Sequence, residues 1–160
     1  MPDAVVIGGS GFIGRCLVEE LTAQGRTVRV VSRGAGGRTA RDSLVHYQRG
    51  AVGSPADMLA AVEGSGCVYH LATGGGQSWS DFQRDFLDGA RNIAAACRQH
   101  GVRRLVYASS TAALYLGRGG TIDESMPADP KPATRSYYAR AKIEAENLLL
   151  DLHRHERLPV

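Results

Sequence analysis

Three times along this chain an amphipathic helix ends at a glycine and an apolar strand follows. Few folds accommodate that order. The first helix is expected over residues 12–24, with Leu17, Val18 and Leu21 on one face; Gly25 stops it and TVRVVSR follows. The second begins at Ser54-Pro55, an N-cap hydroxyl followed by proline at the first helical position. It turns Met58, Leu59 and Val62 inward and ends at Gly64, before CVYHLA. The third, WSDFQRDFLDGARNIAAACRQHG, reads as one long helix with Phe82, Phe86, Ala90, Ile93, Ala94 and Cys97 at helical spacing. Gly101 stops it and RRLVYASS follows. LVHYQRG, between the first two units, reads as another strand. A last helix, SYYARAKIEAENLLLDL, carries Ala141, Ala145, Leu148, Leu149 and Leu152 on its apolar face, after a loop over 117–135 rich in Gly, Pro and Asp. Near-continuously apolar strands alternating with helices predict an α/β fold, a parallel sheet covered on both faces. Right-handed crossovers make that sheet doubly wound.

At 160 residues the chain is one domain by length. Its formal net charge of +3 is too mild to argue for nucleic acid or a membrane surface. No segment has the apolar length of a membrane span, and the first residues lack the pattern of a secretory signal. Cys16, Cys67 and Cys97 form neither a zinc pattern nor a disulfide framework, so they read as reduced core thiols of a cytoplasmic protein. His46, His100, His153 and His155 are scattered, no pair has ligand spacing with a third partner, and no metal is assigned. The closing LPV is expected to open a further strand, which makes the chain a fragment of a longer protein.

The stretch AVVIGGSGFIGR joins the first strand to the first helix. Gly8, Gly11 and Gly14 form G-x-x-G-x-x-G at that junction. A helix N-terminus presents unpaired N–H groups and partial positive charge, and glycine lets backbone approach a diphosphate without a Cβ in the way. The motif therefore predicts dinucleotide binding. An acid at the end of the second strand would bond the ribose hydroxyls of NAD. Here the strand ends Val31-Ser32-Arg33, with Arg38 beyond. Guanidinium suits a 2′-phosphate, so NADP is favoured, with NAD as the alternative.

Tyr138 and Lys142 stand four apart, on one face of the last helix. Tyrosine ordinarily titrates near 10. A nearby ammonium would lower that value and let Tyr138 exchange a proton with a hydroxyl or ketone oxygen. Ser109, Ser110 and Thr111 arrive together at the carboxyl end of the fifth strand, where ligands of such sheets bind.

With GGSGFIG, YHLA, DGARNI, GVRRLVYASSTAALY and YYARAK in that order, the chain resembles the extended branch of the short-chain dehydrogenase/reductases. This branch is the NAD(P)-dependent epimerase/dehydratase family, which includes 3β-hydroxysteroid dehydrogenase-like reductases. The resemblance implies a Rossmann fold, a nicotinamide cofactor and a Ser/Thr–Tyr–Lys set. Carried over, Thr111 is the substrate-binding hydroxyl, Tyr138 the acid/base, and Lys142 the group that holds the nicotinamide ribose and tunes the tyrosine. Gly8, Gly11, Phe12, Ile13 and Gly14 fit the diphosphate turn, and Leu71 and Ala72 the segment beside the cofactor; His70 is a structural member of that motif.

There are departures from the family pattern. Ala51 follows Gly50 where an adenine-bonding Asp is common, leaving backbone or Val52. Phe86 stands where the long helix usually carries Asn. Ala112 and Ala113 follow Thr111 where sugar dehydratases place Asp-Glu, which argues against dehydration chemistry. TGGGQSW, residues 73–79, is expected to line the substrate side. The resemblance also implies a C-terminal substrate lobe beyond residue 160 and a homodimer through the long helices. The expected function is NAD(P)-dependent hydride transfer at a secondary alcohol or ketone of a small molecule or nucleotide-sugar, by a reductase, dehydrogenase or epimerase. The alternative is a non-catalytic NAD(P)-binding sensor or assembly protein.

Overall fold

The computed structural model describes residues 1–34, 43–114, 121–123 and 125–160. Five parallel strands run in the order β3-β2-β1-β4-β5: β1 Ala4–Ile7, β2 Val28–Ser32, β3 Val45–Arg49, β4 Cys67–His70 and β5 Arg104–Tyr107. β1 is central, pairing Ala4 with Val28 on one side and with Cys67 on the other. Both faces of β1 are covered, so every residue of AVVI is buried. Val5 and Ile7 enter a core shared with α2 (Pro55–Val62), α4 (Gly89–Gln99) and α5 (Tyr137–Glu156). Ala4 and Val6 enter the opposite core, with Val18 and Leu21 of α1 (Phe12–Ala23).

The expected helix stops hold. Gly25, Gly64 and Gly101 adopt φ of 75°, 73° and 63°, the left-handed conformation that glycine accepts without strain. Ser54 caps α2, its Oγ accepting from the Asp57 N–H at 3.2 Å. Arg29 closes the other end of that helix by donating to the carbonyls of Ala60, Ala61 and Glu63.

Three expectations change. The long third helix is three pieces: α3 (Trp79–Phe82), a π-helical stretch Gln83–Asp88, and α4. The last helix runs on to Glu156, because His153, Arg154 and His155 in its final turn suit the negative helix end. Cys16 is exposed rather than in the core, Cys67 is half-buried and Cys97 is buried, all three with free thiols. Two residues from Val18, Cys16 faces away from the buried stripe of α1. Residues 158–160 lie along β5: Leu158 is fully buried and the Pro159 carbonyl accepts from the Leu105 N–H at 2.8 Å. No described helix is long and apolar enough to cross a membrane. Among the described residues no group of three or more His, Cys, Asp or Glu could hold a metal ion.

Candidate functional site

The carboxyl ends of β1, β2 and β4 open into a cleft of about 680 Å³. Its floor is the β1–α1 turn. Gly8 adopts φ 89°, donates to the Val31 carbonyl at 2.8 Å, and leans so closely on the β4 exit that a Cβ would lie 2.6 Å from the Ala72 nitrogen. Gly14, one turn into α1, sits against Gly8; a Cβ there would be 2.4 Å from the Gly8 carbonyl oxygen. Gly11 is the N-cap, no side chain caps the helix and its first turn holds no acid. The first-turn N–H groups are thus left for an external acceptor.

Gly8, Ser10, Gly11, Arg33, Leu71 and Ala72 line this cleft. Gly14 does not; it brings the helix onto the turn. Phe12 and Ile13 are 81% and 65% exposed and stand outside the lining, so these residues can offer an anion only backbone N–H. Arg38 lies outside the described residues. Arg33 is exposed and has no acidic partner among the described residues, whereas Arg84, also on the lining, is tied to Asp81 and Asp85.

Sequence reasoning missed Ser32. Its Oγ is buried, has no hydrogen-bond partner, and belongs to a residue on the lining beside Arg33. The signal was available: Ser32 is the last residue of β2, near where an acid was sought. Ser10, Thr73 and Gly74 also line the cleft. Gly74 and Gly76 are small for a packing reason, since a Cβ would fall 2.1 Å from the Asp85 Cβ and 2.4 Å from the Asp81 Cβ. Near Gly50 the backbone is already engaged. The Ala51 N–H donates to Asp57 at 2.9 Å, its carbonyl accepts from the Ser54 N–H, and the Val52 carbonyl accepts from Asn92 at 2.9 Å. The Val52 side chain remains as an apolar contact. An anion-ready helix end, a turn that a Cβ would obstruct and an unpartnered hydroxyl beside a free guanidinium fit the ribose-diphosphate part of a dinucleotide.

Thr111, Tyr138 and Lys142 do not line this cleft; they lie on the turn after β5 and on α5, two elements packed against each other. Thr111 opens a short 3₁₀ turn, Thr111–Ala113, after β5. It is exposed and makes no side-chain hydrogen bond with a described residue. Its neighbours are committed: Ser109 donates to Glu146 and Ser110 caps the turn through the Ala112 N–H. Tyr138 is 38% exposed. Lys142 turns inward, 2% exposed, its Nζ donating to the Ala108 carbonyl at 2.6 Å and standing 4.7 Å from the centre of the Tyr107 ring. Burial lowers its pKa from 10.5 to about 8, against the opposing pull of Glu146. His70 is buried beside Tyr107, with its Nδ1 unpartnered, and burial brings its pKa down to about 3. It is neutral at neutral pH.

The turn and the start of α5 are fastened together. Asp129 receives Arg135 at 2.6 Å, Arg135 also reaches the Ala112 carbonyl, and the Asp129 N–H donates to the Ala113 carbonyl at 3.0 Å.

Comparison with known proteins agrees with this fold. The chain is 32% identical to the bovine (Bos taurus) sterol-4-alpha-carboxylate 3-dehydrogenase, decarboxylating, over 95% of its own length and 42% of that protein. It is also 32% identical to the 2-alkyl-3-oxoalkanoate reductase of Shewanella oneidensis, over 92% of this chain and 38% of the relative. The chain thus spans about two-fifths of the curated relatives it matches. Among solved structures it is similar to the UDP-glucose 4-epimerase of Thermus thermophilus in complex with NAD. The TM-score is 0.77 at 30% identity, with 97% of this chain and 52% of that one covered. The sequence pattern of the NAD dependent epimerase/dehydratase family matches residues 4–160, and the chain belongs to that family.

Proposed function

We propose that residues 1–160 are the dinucleotide-binding and acid–base part of an NADP(H)-linked oxidoreductase acting on a secondary alcohol or ketone of a small molecule. The substrate lobe lies outside these residues. The observation that carries the cofactor reading is the cleft at the end of α1 that no side chain caps, where the buried, unpartnered Ser32 hydroxyl stands beside Arg33, which has no acidic partner among the described residues. Gly8, Ser10 and Gly11 would face the diphosphate, with first-turn N–H groups of Phe12 and Ile13 behind them. Ser32 and Arg33 would take the 2′-phosphate, and Val52 the adenine. When bound, the nicotinamide supplies or accepts the hydride.

The chain's own residues handle the proton. Tyr138 gives its phenol proton to a ketone oxygen, or takes one from a hydroxyl. Thr111, its hydroxyl uncommitted, orients that oxygen. Lys142, one turn further along α5, would hold the nicotinamide ribose. Relatives named as a dehydrogenase and a reductase support alcohol–ketone chemistry. The three free thiols fit a reducing, cytoplasmic setting. A homodimer through α4 and α5 is part of the same reading, supported by the exposed Tyr137 and Leu150 of α5.

Fluorescence titration of the protein with NADPH and NADH tests the cofactor, with NADPH expected to bind at least about tenfold more tightly, the effect of one hydrogen bond to a charged group. Equal affinities would overturn the NADP assignment. Turnover is then screened on ketones and UDP-sugars, and Tyr138→Phe is expected to lower it about 10²–10⁴-fold, the usual contribution of a general acid–base. Full turnover by that variant would remove Tyr138 from the reaction.

A further inference from the structure

Residues 79–99 form one rod with a π-helical stretch, Gln83–Asp88, in its middle. A π turn widens the helix by one residue and is found frequently at functional sites. Here it delivers Phe86, 2% exposed, to α5. The Phe86 ring stacks on Phe82 at 5.7 Å and meets the Tyr138 ring edge-on at 5.9 Å and 84°. Its centre is 5.4 Å from the Lys142 Nζ, and the Tyr107 ring approaches the same nitrogen at 4.7 Å. Phe86 therefore packs against both Tyr138 and Lys142. The Ala108 carbonyl is the only hydrogen-bond acceptor the ammonium has among the described residues.

We propose that Phe86 is a positioning residue, whose ring seats the Tyr138 phenol and keeps water from the Lys142 ammonium. The site consequence rests on the function proposed above; the packing does not. A ring can attract a cation through its face, but it cannot replace the hydrogen bonds of water. Replacing the ring by a polar or smaller side chain admits water and returns Lys142 toward ordinary lysine behaviour. The other groups facing that nitrogen are Glu146 from α5, His70 from β4 and Tyr107 from β5. Of these, Glu146 opposes the effect of burial and neutral His70 adds no charge.

The test is an NMR titration of protein with isotopically dimethylated lysines, the Lys142 signal assigned by its loss in Lys142→Arg. The unsubstituted protein is expected to titrate near pH 8 at this position. Phe86→Asn should raise the midpoint by about one pH unit, a tenfold change in proton affinity, and Phe86→Leu by less. An ordinary lysine midpoint in the unsubstituted protein overturns the proposal even if neither variant folds. So does an unmoved midpoint in either folded variant, since general destabilisation does not move the titration of one side chain. NADPH titration is run in parallel: its failure defeats the proposed function, while the Lys142 midpoint alone decides the role of Phe86.

Discussion

Ser32 and Arg33 stand side by side at the end of β2, and only one announces itself by type. Arginine in a loop draws attention as a phosphate ligand. Serine there reads as ordinary until burial leaves its hydroxyl without a partner. Losing a hydrogen bond to a charged group costs about 1.5–3 kcal/mol. Ser32→Ala is accordingly expected to weaken NADPH roughly 10–100-fold and leave NADH unchanged, as read by fluorescence titration of both nucleotides. Equal weakening of both would mean that the hydroxyl only supports the fold. Residue identity was a partial guide elsewhere too. The Tyr138–Lys142 spacing fixed a shared helical face but not the rotamer that turns Lys142 to the Ala108 carbonyl, because that acceptor comes from the end of β5. Cys16 was misread in the opposite way: cysteine's general preference for burial overrode the helical period, which placed it on the exposed face of α1.

At the scale of elements, the junctions were the most legible part. The β1–α1 turn was readable because only glycine tolerates both the φ of Gly8 and the contact at Gly14. Gly14→Ala forces a methyl group against the Gly8 backbone, which cannot swing aside as a side chain could. Overpacking of this kind costs about 1–3 kcal/mol, so the variant is expected to show a lower urea midpoint together with weaker dinucleotide binding. Unchanged stability would contradict the packing role. The π turn was not legible. Phe82, Phe86 and Ala90 keep a four-residue spacing that an unbroken α-helix explains equally well. Gly74 and Gly76, in the loop expected to line the substrate side, are held small by the close approach of Asp85 and Asp81, a contact between elements that residue type alone does not announce.

Across the whole molecule the sheet was predictable from the alternation of strands and helices, while the burial of its titratable groups was not. His70 titrates near 6.5 when unfolded and near 3 in the core. Between those values the unfolded chain binds a proton that the native one refuses, so stability falls as pH drops below 6.5. The limiting slope for one proton is about 1.4 kcal/mol per pH unit. Lys142 acts with the same sign higher up: its burial penalty is relieved as pH rises from about 8 to 10.5. Urea midpoints are expected to be lower near about pH 5 than near about pH 7.5, with the dependence flattened in His70→Gln. A profile that His70→Gln leaves untouched would place the acid sensitivity elsewhere.

The Asp129–Arg135 fastener ties the 3₁₀ turn to the approach of α5. One carboxylate and one guanidinium thereby bind two stretches of chain more than ten residues apart into a single cooperative patch. Thermal breathing that frees one stretch frees the other. The turn that carries Thr111 and the chain that leads into Tyr138 thus share a common lifetime of order.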